Sequence, residues 1–113
     1  MHTRDAENDE YKKLLKKPED HFLDFKSKLI APAKLQETFI AFANTDGGEL
    51  CVGIEDEKSS GERINGFTNI EEANAILEVL LEQTSPSVEN IDVEFINFKK
   101  IGYVLHILIP KSP

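Results

Sequence analysis

The chain has 113 residues, enough for one hydrophobic core and too few for two. Apolar residues make up 40% and charged ones 30%, the balance of an ordinary soluble globular domain. A net charge of −8 argues against a broadly basic surface that coats nucleic-acid phosphates, and leaves a local basic patch as the route to such a partner. No apolar run is long enough to cross a bilayer, and no signal-peptide core stands near the start. The one cysteine, Cys51, cannot close an internal disulfide, which suits a cytoplasmic setting.

Residues 1–18 read as a charged extension. Tyr11, Leu14 and Leu15 predict a short amphipathic helix over about residues 7–17, with acids early and lysines late as the helix dipole favours. Lys12, Lys13, Lys16 and Lys17 form either a solvated face, the commoner use of such a run, or a nucleic-acid contact. Pro18 stops that helix. Residues 19–26 (EDHFLDFK) read as the first strand, with Phe22 and Asp24 on one face and Leu23 and Phe25 on the other. Lys26 shares the face of Asp24, so the plain expectation there is a local ion pair.

From Pro32 to Asp56 the pattern is helix, glycine-pair turn, buried strand. Leu35, Phe39 and Phe42 recur at helical spacing, and Pro32 suits the first turn, where no amide hydrogen is needed. Asn44, Thr45 and Asp46 end the helix, and Gly47 and Gly48 can turn the chain back. Residues 50–54 (LCVGI) then predict a central strand, with Glu55, Asp56 and Glu57 at its carboxyl end. Ile64 to Phe67 reads as a brief returning strand. Thr68 and Glu71 have the spacing of a capping box, ahead of a helix whose apolar face is Ile70, Ala73, Leu77, Leu80 and Leu81. Residues 91–95 alternate as a half-exposed strand does, and Lys99 to Gly102 can reverse the chain. Tyr103 to Ile109 is apolar apart from His106, which predicts an inner strand holding a hydrogen-bonded core histidine. The sum is an α+β single domain, a mixed β-sheet packed with about three helices.

One set of residues resembles a known family. Glu19…Asp24-Phe25-Lys26, then residues 40–48 (IAFANTDGG), residues 50–56 (LCVGIED), Ile64-Asn65-Gly66-Phe67 and the late residues 102–112 are similar to the Schlafen AlbA-like domain. The resemblance spans residues 19–113, with AFANTDGG before an apolar strand as its most specific part. It implies a DNA-binding module of bacterial or archaeal transcriptional regulators, and a label of ATP binding has also been attached to the family. Related modules of eukaryotic Schlafen proteins act on RNA, some as metal-dependent endoribonucleases with three carboxylates. Carried over, those fall on Glu19 and Asp24, with Glu55 or Asp56 as the third. Family domains usually continue into a further strand bearing an Arg-Gly pair, so a domain truncated at its C-terminus is expected here.

Three readings follow. The leading one is a nucleic-acid-binding module contacting phosphates through Lys12, Lys13, Lys16, Lys17, Lys26, Lys28, Lys34 and Arg63. In the second, Glu19, Asp24, Glu55 and Asp56 hold Mg²⁺ or Mn²⁺, hard ions that take oxygen ligands, and Glu19, Asp24, Asp56 and Lys26 form the catalytic group of an endoribonuclease. The third is a homodimerisation module or a nucleotide-binding domain. The last is the weaker, because Asp46-Gly47-Gly48 lacks the Gly-Lys-Ser/Thr ending of a phosphate loop and reads as a structural turn with Asn44. His21 and His106 have no ligand-spaced partners, and Cys51 reads as a small buried hydrophobe.

Overall fold

Tyr103–Ile109 is the middle strand of a mixed sheet, which explains its apolar run. The computed structural model describes residues 2–16, 23–55, 63–83 and 91–110. In chain order the elements are β1 (His2–Asp5), α1 (Glu10–Lys16), β2 (Leu23–Lys26), α2 (Pro32–Ala43), β3 (Gly48–Val52), α3 (Ile70–Gln83), β4 (Asp92–Asn97) and β5 (Tyr103–Ile109). Among the described residues the sheet has five strands in the order β1-β4-β5-β3-β2. β5 runs antiparallel to both of its neighbours, while β1 pairs with β4 and β2 with β3 in parallel. The carboxyl ends of β1, β2, β3 and β4 therefore lie at one end of the sheet. The α+β architecture, with three helices among the described residues, agrees with the sequence.

One face is closed by α2 and α3. Leu35, Phe39, Phe42 and Ala43 from the first helix and Ala73, Leu77 and Leu80 from the second cover Leu50, Val52, Val93, Phe95, Leu105 and Ile107. The helical and strand periodicities thus meet in one apolar layer. On the other face Leu23, Phe25, Cys51, Ile96, Phe98 and Val104 form a smaller cluster, with Leu14 and Leu15 of α1 packed on it. Cys51 is buried there, as expected.

Three local features differ from the expectation. Residues 2–5, all polar, form a strand that the sequence pattern does not announce. The cap of α3 is Asn69, whose Oδ1 accepts from the Glu72 amide at 3.0 Å; the helix starts one residue later than a Thr68–Glu71 box requires. Ile64 to Phe67 makes two single bridges, Ile54 to Ile64 and Phe67 to Tyr103, in place of a strand. Gly66 is the reason for that close crossing. A Cβ on it would stand 2.6 Å from backbone atoms of Gly102 and Tyr103, so only glycine allows the two segments to touch.

Candidate functional site

The glycine turn delivers β3 beside β2. Phe42 O accepts the amides of Thr45 and Gly47, the Asn44 amide donates to Ile40 O, and Gly47 sits at φ 81°. The left-handed residue reverses the chain at low cost, as the sequence predicts for this unit, with Asp46 in the same turn. β3 then lies in register with β2, Asp24 opposite Leu50 and Lys26 opposite Val52. Beyond the last pair the Gly53 and Ile54 amides both donate to Lys26 O, at 2.8 and 3.2 Å. The acidic end of β3 is thereby brought to the end of β2, where Ser27 Oγ donates to Glu55 Oε1 at 2.9 Å.

Glu19 and Asp56 lie outside the described residues, and the two carboxylates inside them have different partners. Asp24 pairs with Lys26 at 3.1 Å, the local pair expected from strand alternation. Glu55 is held by Ser27, three residues further along than Asp24, about 10 Å of extended chain. Among the described residues no group of three or more His, Cys, Asp or Glu side chains is placed to hold a metal ion.

The eight cations read from sequence divide sharply. Lys26 is paired with Asp24. Lys28 Nζ donates to Gly66 O at 3.1 Å, tying the turn after β2 to the Gly66 crossing. Arg63 donates to the carbonyls of Glu55 and Leu15 at 3.3 and 3.4 Å and lies over the Phe25 ring, 5.7 Å from its centre. Among the described residues Lys34 has only a long, solvent-exposed pair with Glu37, 3.8 Å. Lys12, Lys13 and Lys16 are exposed on α1 and have no acidic partner among the described residues; Lys17 lies outside them. Lys99 and Lys100, exposed in the β4–β5 turn, belong to the same sheet end and were not among the predicted contacts.

A second polar constellation lies on the opposite side of the sheet, around Glu94. Arg4 forks twice: Nε and Nη2 donate to Glu94 Oε1 and Oε2 at 2.8 and 3.3 Å, and Nη1 and Nη2 donate to the two oxygens of Glu10 at 2.8 and 2.6 Å. His106 Nδ1 is 2.9 Å from Glu94 Oε2, and His2 Nε2 is 3.1 Å from Glu94 Oε1. The Arg4 hydrogen bond, aided by that from His106 and opposed by burial, holds the Glu94 carboxyl down to about 2. Arg4 likewise holds Glu10 below the ordinary carboxylate range. An ionised carboxylate only accepts, so the facing nitrogens of both histidines carry the protons. His106 is therefore half-buried and satisfied, as its strand context predicts. Arg4 carries no such signal, because its partner Glu94 is 90 residues away.

No helix in the described residues is long and apolar enough to cross a membrane. Residues 19–113 match the family described as Schlafen, AlbA_2. The solution NMR structure of the N-terminal domain of a RecG-related protein from Nitrosomonas europaea is similar to this chain, with a TM-score of 0.65 and 20% identity over 91% of this chain and 71% of that one. That likeness concerns the fold alone. No curated protein matches the chain. With the glycine-turn unit at its centre and the match running over most of its length, the chain belongs to the Schlafen AlbA_2 family.

Proposed function

We propose that this domain is a nucleic-acid-binding module of a cytoplasmic transcriptional regulator, and that the exposed face of α1 makes its main phosphate contacts. The observation that carries the reading is the division of the cations. Lys26, Lys28 and Arg63 are tied to the protein's own groups, while Lys12, Lys13 and Lys16 stand together on one short helix, unpaired among the described residues. Family membership supports it, as does a fold neighbour named as related to an ATP-dependent DNA helicase. With a net charge of −8, such a patch must act locally, through a few phosphates and with strong dependence on salt.

Fluorescence anisotropy with labelled single-stranded DNA, single-stranded RNA and duplex DNA tests this across about 50–200 mM salt. Binding weakens steeply with salt, and replacing Lys12, Lys13 and Lys16 by Gln lowers the slope of log Kd against log salt by about 2–3. Salt-independent binding, or no binding to any of the three at the lowest salt, overturns the reading.

A further inference from the structure

We infer that Arg4 is a positioning residue for nucleic-acid binding, clasping the lysine-bearing helix α1 onto the sheet. The inference deepens the reading just given and rests on it. Residues 1–18 lie outside the family match, so β1 and α1 form an arm that precedes the matched region. β1 has four residues and, among the described residues, sits at the sheet edge and pairs with β4 alone. A strand so short, and polar throughout, has little apolar area to hold it.

The arm is fastened instead by polar groups at defined points. Arg4 joins Glu94 of β4 to Glu10, the first residue of α1, so a single guanidinium fixes strand and helix together. Planar double-fork bonds of this kind set orientation as well as distance, which a lysine ammonium cannot reproduce. Ala6 N donates to Asn97 O at 2.9 Å, and Asn97 Nδ2 donates to Asp5 Oδ1 at 3.2 Å. At the far end of α1, Arg63 reaches Leu15 O, and Leu14 and Leu15 rest on the smaller core. Held at both ends, α1 presents Lys12, Lys13 and Lys16 outward as one fixed row. Freed at its start, it would carry the same charges on a loose tether, and ordering them on a ligand would weaken binding.

The test sets charge against position in the full chain, with a labelled deoxythymidine oligomer as probe and amide hydrogen exchange as the second readout. Glu10→Gln removes a negative charge, which by simple electrostatics tightens binding to an anion. The clasp predicts the opposite sign: faster exchange at Ala6 and β1, and on the order of threefold weaker binding. Arg4→Ala gives the same exchange signature and a loss of about tenfold, and Arg4→Lys recovers little of it. Thermal unfolding of each variant shows that the sheet itself survives. Tighter binding by Glu10→Gln overturns the clasp, as do unchanged exchange in Arg4→Ala or faster exchange at full affinity. A wild-type chain that ignores the oligomer, or a Lys12/Lys13/Lys16→Gln variant that binds it as well as wild type does, sinks the underlying nucleic-acid reading, a different signature.

Discussion

The two faces of this sheet are closed by different physics. Beneath α2 and α3 the centre of the face is apolar, with Leu35, Phe39, Leu50 and Leu105 in one cluster and all four withdrawn from water. Across the opposite face one register row reads His2, Glu94, His106, Cys51, Phe25, passing from charge at the β1 edge to hydrocarbon at the β2 edge. Hydrocarbon contacts are indifferent to pH and salt, whereas the Arg4–Glu94–Glu10 bonds depend on ionised partners. The first face carries the larger of the two apolar clusters and with it most of the fold's stability. The second makes the attachment of one arm conditional.

The largest test of that division is Phe39→Ala. The side chain is fully buried between the helix and the sheet, and its removal costs about 3–5 kcal/mol through lost transfer energy and the cavity left behind. Urea unfolding measures it at any pH between neutrality and mild acid, and the loss is the same throughout. A cost under about 1 kcal/mol would mean that the helix-covered face is not what holds the domain together.

The same division decides what can be read from sequence. Leu35, Phe39 and Phe42, or Leu77 and Leu80, are legible because a helix repeats its buried face every three or four residues. Gly47 is legible because only a few residues tolerate its backbone, and β3 follows from the apolar run after it. Arg4 has no periodicity around it and meets Glu94 only through the sheet order β1-β4-β5-β3-β2, which no local pattern contains. Alternation in β4 turns Glu94 outward without naming a partner. The cations show the same limit. Composition counts Lys28 and Arg63 as free charges, and only the tertiary crossing at Gly66 and the carbonyls of Leu15 and Glu55 reveal them as structural.

Acid titration sharpens the comparison at the next level of effect. Glu94 is held at about 2 in the folded chain against 4.5 for a free glutamate, chiefly by Arg4 and then by His106, with burial opposing. A carboxyl depressed on folding stabilises fully above its unfolded value and loses that contribution as pH falls through its folded one. Stability therefore drops between about 4.5 and about 2 on this account, by roughly 1–2 kcal/mol once solvent around the one-third-exposed Arg4 is allowed for. Denaturant midpoints measured across that window show it, and Arg4→Ala flattens the fall. Equal acid sensitivity in the two proteins would remove Glu94 as its source.

The smallest effect falls on Asp24, the charged exception at the edge of the apolar face, in register with Leu50. Its 3.1 Å bond to Lys26 joins side chains that keep 24% and 29% of their surface in water. Pairs so exposed contribute under about 1 kcal/mol, so Asp24→Asn shifts the urea midpoint only slightly. The pair also bears on the metal-dependent reading, because the described partner of Asp24 is the Lys26 ammonium. If Asp24 instead joined Glu19 and Asp56 around Mg²⁺ or Mn²⁺, either ion would raise the melting temperature of the wild-type chain and leave Asp24→Asn unmoved. The Lys26 pair predicts that the two proteins respond alike to both ions, and an ion-dependent difference between them would favour the endoribonuclease reading.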